Sequence, residues 1–134
     1  MKPGSGLQAT GFGYREAHGT AVCSNARMSR DHKKLRVFTL ADQIALEVYR
    51  STANFPVSER YGLQAQIRRS AVSTAANIVE GCARDTTKDY KHFLTIALGS
   101  ASEARYLLDL AHRLEFVPKE LVRSLQKLVT SVSD

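Results

Sequence analysis

The chain has 134 residues, a length suited to one domain with a substantial core. Its 19 Lys+Arg exceed its 13 Asp+Glu, a net +6 that permits a nucleic-acid partner without requiring one. No run approaches the roughly 18 apolar residues of a membrane span, and the first residues lack the apolar segment of a signal peptide. The two cysteines, Cys23 and Cys82, form neither a disulfide framework nor a zinc spacing. A cytoplasmic protein without a cofactor is expected.

Residues 1–27 hold five glycines and no hydrophobic period, and they read as disordered. Met28 would serve as a natural start, so the leader reads as a mis-assigned translation start. The domain division is therefore 1–36 as leader and 37–132 as the folded unit. Without residues 1–27 the charge is still +4. The basic run Arg30, Lys33, Lys34 and Arg36 is open to two readings, a nucleic-acid-binding arm or a solvated approach to the first helix.

A first helix is predicted from about 39 to 53, with Leu40, Ile44, Val48 and Thr52 at i, i+4 spacing. Pro56 excludes Phe55 from helical geometry, which suits Phe55 to plugging the end of the core. Ser58 is the expected N-cap of a second helix ending near 83, with Glu59 in its first turn.

The second helix carries two apolar faces, roughly 120–140° apart by helix geometry. Leu63, Ile67, Ala71, Thr74 and Ile78 form one, and Tyr61, Ala65, Val72, Ala76 and Val79 the other. Gln66, Arg69, Ser73, Asn77, Glu80 and Arg84 form a polar ridge between them. A helix needs one stripe to meet its own core. The second stripe asks for a further partner, either another layer or another subunit. The small side chains of SAVSTAAN imply a close backbone approach, and Gly81 is expected to begin the unwinding of this helix.

Thr86 and Asp89 give a capping-box-like start to a third helix reaching about 115. Its apolar arc is wide, from Tyr90 to Leu114. The opposite side carries Lys88, Lys91, Arg105 and Arg113 against Asp109, a basic stripe. Glu103 falls inside the apolar arc, and a buried carboxylate requires a cation. Pairing with Arg69 or Arg68, within the subunit or across an interface, is the expectation. Pro118 suits the first turn of a fourth helix over 118–131, with Leu121, Leu125, Leu128 and Val132 on one stripe. Four amphipathic helices with short connections imply an all-α, antiparallel up-down-up-down four-helix bundle.

Signals for chemistry are weak. Asp89-x-x-His92 and Asp109-x-x-His112 have carboxylate–histidine spacing. They share one helix, about 30 Å apart, and cannot meet at one metal within a bundle; no metal site is expected. Cys82 has no activating neighbour in sequence and reads as a structural thiol. Asn77 and Glu80 fit either an acid/base pair or a polar interface network. Arg68, Arg69, Arg84 and Arg105 fit either phosphate contacts or salt bridges.

The segments FPVSERYGLQAQIRRSAVSTAANIVEG and IALGSASEARYLL, with the helix start at Thr86–Tyr90 between them, resemble the bacterial "four helix bundle protein" family. Its members include proteins encoded in intervening sequences of the large-subunit ribosomal RNA gene, also termed S23 ribosomal proteins. The accessory variability protein of diversity-generating retroelements is related. The likeness covers about 37–132. It implies a bundle assembled into a ring, typically a homopentamer, with a basic surface associated with RNA or an RNA–DNA hybrid, and no enzymatic activity. A structural adaptor that recruits a partner protein such as a reverse transcriptase is the competing role. Arg68, Arg69, Asn77, Glu80 and Gly81 match the family's second-helix motif, and Gly99, Ser100 and Glu103 its third. Candidate nucleic-acid contacts are thus Arg68, Arg69, Arg84, Lys88, Lys91, Arg105 and Arg113. Candidate interface residues are Tyr61, Val72, Ala76, Asn77, Val79, Glu80, Gly99, Ser100 and Glu103.

Overall fold

The computed structural model describes residues 30–133; the leader 1–27 lies outside them. Four helices follow in order: α1 Arg36–Thr52, α2 Leu63–Cys82, α3 Thr87–Arg113 and α4 Lys119–Ser133. Short 3-10 turns precede α1, His32–Lys34, and α2, Val57–Glu59. Among the described residues there is no strand. Each helix packs on its neighbours in a closed cycle, α1 on α2, α2 on α3, α3 on α4 and α4 on α1. This is the expected antiparallel four-helix bundle.

The core follows the apolar periodicity. Ile44 and Val48 of α1, Ile67 and Ile78 of α2, Leu108 of α3 and Leu125 and Leu128 of α4 are fully buried. Phe55 plugs the end of the bundle beside Phe116, their ring centroids 5.3 Å apart.

The α2–α3 contact is built from small residues. α3 presents Ala97, Ala101 and Ala104 to the interior, and Ser73 shares a 3.0 Å hydrogen bond with Ser100. Polar side chains of α2 are satisfied locally. Thr74 donates to the Ser70 carbonyl at 2.9 Å, and the Asn77 amide donates to the Ser73 carbonyl at 2.8 Å. Back-bonding of this kind lets Ser, Thr and Asn sit within a helix despite weak propensity.

The boundaries of α2 differ from expectation at both ends. Residues 60–62 form a turn, and the helix begins at Leu63. The capping acceptor is the Glu59 carboxylate, which takes the Leu63 N–H at 3.1 Å, and Ser58 makes no such bond. Gly81 stays helical and buried. A Cβ placed there would lie 3.0 Å from the Phe93 Cβ and 3.3 Å from the Tyr90 carbonyl oxygen. Close approach of α3, not unwinding, accounts for this glycine.

The other ends keep sequence logic. Thr86 caps α3 by accepting the Asp89 N–H at 3.0 Å. At the far end Glu115 adopts φ 63°, the one non-glycine with positive φ among the described residues. The Glu115 N–H donates to the His112 carbonyl at 2.9 Å, and the Phe116 N–H to that of Ala111 at 2.8 Å. This is a Schellman motif with glutamate in the left-handed position usually held by glycine.

The leader boundary at 36 moves inward. The Arg30 N–H donates to the Cys82 carbonyl at 3.2 Å, and its guanidinium lies 4.1 Å from the Tyr90 ring centroid. Residues 30–35 are therefore attached to the bundle through an aromatic contact that composition alone does not announce.

Two substitutions test these readings. Gly81→Ala gains roughly 0.5–1 kcal/mol of helix propensity, while overpacking costs roughly 1–3 kcal/mol. Urea unfolding is expected to show a net loss of about 1 kcal/mol; a gain would mean that α3 can shift. Glu115→Gly relieves left-handed strain of about 1–2 kcal/mol, partly offset by the entropy of the unfolded chain. A rise of a few degrees in Tm is expected. Glu115→Ala, which keeps the Cβ, should gain less.

Candidate nucleic-acid interface

The seven basic candidates fall into separate groups. Arg84, Lys88 and Lys91 lie around the α2–α3 turn, all exposed. Arg84 pairs with Glu80 and lies 4.6 Å from the Phe93 ring centroid. Arg105 reaches across to Gln126 of α4. Arg113, near the other end of α3, bridges Asp109 at 3.1 Å. Of the basic stripe expected along α3, Arg113 alone is paired with a carboxylate, the Asp109 already counted against it.

Arg68 and Arg69 belong to a different surface, an open cleft of about 610 Å³ between α1 and α2. Tyr49, Arg60, Tyr61 and Gln64 line it with them. Arg60 is not among the sequence candidates, which place it in the first turn of the helix; the turn at 60–62 brings it to the cleft with Arg68 and Arg69. Among the described residues, none of these three arginines has a carboxylate within salt-bridge distance.

Tyr61 departs from its expected place. Since α2 begins at Leu63, the helical register that put Tyr61 in line with Val72 and Ala76 does not extend to it. Its ring is 89% exposed at the mouth of the cleft.

The rest of the second apolar face of α2 points away from the bundle. Val72 is 42% exposed, Ala76 is exposed, and Ala65 and Val79 are half-buried. On α3 the exposed Ile96 and Tyr106 flank Gly99, which has no atom within 4 Å of an added Cβ. Gly99, a candidate interface residue, thus meets no close neighbour inside the subunit.

Glu103 corrects a second expectation. It is exposed and makes no ion pair with Arg68 or Arg69 within the subunit. Ile96 and Leu114, at the same edge of the α3 apolar arc, are exposed as well. The buried stripe is narrower than the apolar arc because alanines let α2 and α3 meet closely. Glu103 thus sits on the outer α3 surface.

Of the remaining candidates, Asn77 and Ser100 are occupied by the serine-centred hydrogen bonds at the α2–α3 contact. Arg30, read as part of a basic arm, is turned inward onto Tyr90, while Lys33, Lys34 and Arg36 are exposed. Cys82 is buried, and that burial raises its thiol pKa; Arg30 opposes the shift and Asp31 adds to it. A protonated, enclosed thiol is a poor nucleophile. His112 Nδ1 lies 3.1 Å from the Val117 carbonyl. Among the described residues, no group of three potential metal ligands assembles, and no helix is long and apolar enough to cross a membrane.

The sequence profile of the 23S rRNA-intervening sequence protein family matches residues 33–134. A crystal structure of a protein with unknown function from the S23 ribosomal protein family of Bacteroides thetaiotaomicron is similar, with a TM-score of 0.60 and 28% identity. The match covers 72% of this chain and 90% of that one. The search of curated proteins finds no match.

Exposure of Glu103 gives a direct test. In the isolated subunit, Glu103→Ala should change stability by no more than about 0.5 kcal/mol, as an ordinary surface change does. Urea unfolding beside Asp109→Ala should give comparable small effects. A loss near the roughly 3–5 kcal/mol of a broken buried pair in a monomeric protein would restore the buried-carboxylate reading within the subunit; the same loss confined to a multimer would place the pair at an interface.

Proposed function

Since the chain belongs to the 23S rRNA-intervening sequence protein family, we propose that it is a non-enzymatic, ring-forming accessory protein that binds RNA or an RNA–DNA hybrid. The outward apolar face of α2 carries this reading. Val72 and Ala76 stand in solvent on a helix whose opposite side already fills the core, and small side chains there allow a neighbouring subunit to approach. The exposed Ile96, Gly99 and Glu103 of α3 extend the same surface. In the assembled ring Glu103 would find its cation across the interface.

Assembly supplies what one subunit lacks. The +4 of residues 28–134 is modest and partly locally paired. Closed five-fold symmetry would repeat it to roughly +20, enough to attract a polyanion. Binding of that origin is mostly phosphate-driven, weakly sequence-selective and strongly salt-dependent. The same exposed apolar face supports the second reading, an adaptor that recruits a partner protein.

Val72→Glu separates these outcomes. Val72 is already partly in water, so the subunit tolerates the change, whereas a subunit interface would bury an unpaired charge. Light scattering is expected to show a multimer for the parent chain and a monomer of unchanged helicity for the variant. RNA affinity should fall with the mass, because linked charges act together. A monomeric parent chain rejects the ring. Absence of RNA binding at low salt rejects the nucleic-acid role and leaves the adaptor.

A further inference from the structure

We propose that the α1–α2 cleft binds an unpaired nucleotide of single-stranded RNA, its base stacked on Tyr61 and its flanking phosphates held by Arg60, Arg68 and Arg69. The proposal rests on the nucleic-acid reading above and assigns it a site and a strandedness.

The cleft's charge comes first. Three guanidinium groups line one concavity, with no carboxylate partner among the described residues. The nearby acid, Glu59, is directed elsewhere; its carboxylate caps α2 by accepting the Leu63 N–H. Arginine keeps its charge throughout the accessible pH range and fits phosphate oxygens bidentately. The uncompensated charge in this concavity therefore selects an anion.

Arg68 is set in place before any ligand arrives. Its Nε donates to Thr52 Oγ1 at 2.9 Å and its Nη2 to the Tyr49 carbonyl at 3.3 Å. The Thr52 hydroxyl is itself oriented by donating to the Val48 carbonyl at 2.7 Å, which leaves a lone pair for Arg68. The guanidinium stacks 4.5 Å from the Tyr49 ring centroid. Its partners are neutral, so the positive charge is not cancelled, and three of its five N–H donors remain unspent.

The aromatic component distinguishes a nucleotide from a bare anion. Tyr61 projects from a turn braced by the 3.1 Å Gly62 N–H to Glu59 carbonyl bond, with almost all of its ring in water. Exposed aromatics beside cationic grooves are the stacking platforms of single-strand binders. A base within a duplex is already stacked on both faces, so a protruding ring suits an unpaired one. Gln64 adds a hydrogen-bonding edge. Its amide nitrogen donates to the Thr52 carbonyl at 2.7 Å, leaving its oxygen free to accept from a base N–H. An apolar protein segment fits poorly here, since it would cover three guanidiniums without pairing them.

The test uses the full chain at low salt with two fluorescent probes, an oligouridylate and a blunt-ended, fully paired RNA duplex. Fluorescence anisotropy of Tyr61→Ala is expected to show oligouridylate affinity reduced about tenfold, within the range for loss of one base–aromatic stack. Affinity for the duplex should be unchanged. Tyr61→Phe, which keeps the ring, should bind both probes as the parent does. Arg69→Ala should lower the salt slope for oligouridylate by about one. Equal oligouridylate binding by the parent and Tyr61→Ala overturns the cleft assignment while leaving the nucleic-acid function intact. Failure of the parent chain to bind either probe overturns both. A change of mass in Tyr61→Ala by light scattering also overturns the assignment, because the cleft would then be a contact between copies of the chain.

Discussion

The close approach of α2 and α3 sets the geometry of the bundle. Gly81 lies where any side chain would strike the Phe93 Cβ and the Tyr90 carbonyl. Ala97, Ala101 and Ala104 continue the contact, and Ser73 meets Ser100 across it. Dispersion falls off steeply with separation, so a seam of small residues gains by bringing whole backbones together. The same closeness leaves no room at the seam for Val72 or Ile96, and both remain at the outer surface. The packing that holds the subunit together thus also leaves apolar surface outside it.

Those features were readable in the sequence to unequal degrees. The four helices follow from apolar spacing, and the Thr86 cap and the Phe55 plug follow from local chemistry. Two apolar faces on α2 were visible for the same reason, since a regular helix maps spacing onto direction. The reading failed where regular geometry stops. Tyr61 was placed on a helical face, but the chain is a turn until Leu63. Arg60 was overlooked because that turn, not a helical face, brings it to the cleft with Arg68 and Arg69. Glu103 was assigned to the interior because an angular arc gives direction without depth, and depth is set by the size of residues on the facing helix. Arg30 was grouped with the basic run at 33–36, since its contact with Tyr90 joins positions far apart in sequence.

Charge follows a comparable division. Two arginines meet a carboxylate one turn earlier in the chain, Arg84 with Glu80 and Arg113 with Asp109. Such exposed i, i+4 pairs contribute little to stability, but they do cancel local field. Arg68 is held by neutral acceptors instead, and Arg60 and Arg69 have no carboxylate at hand among the described residues. Three arginines without a carboxylate partner among the described residues thus gather at the α1–α2 cleft, while Lys88, Lys91 and Arg105, which meets the neutral Gln126, are spread along α3.

Apolar and basic surfaces adjoin on the same helix: Ala65 of the outward apolar face also lines the cleft, and Arg69 lies one turn before Val72. Val72 and Ala76 face outward along the middle of α2, while Arg68 turns toward α1 and the cleft opens near the beginning of the helix. A neighbour seated on Val72 and Ala76 would bury apolar area without having to desolvate the Arg68 guanidinium, a step that costs several kcal/mol when unpaired. In the proposed ring, each subunit would then keep its cleft available while the interface stays largely apolar. Assembly would concentrate several clefts around one axis, and a flexible single strand long enough to reach two of them would gain effective concentration at the second. A rigid duplex lacks that freedom. In the proposed ring, one helix would thus serve both association and recognition.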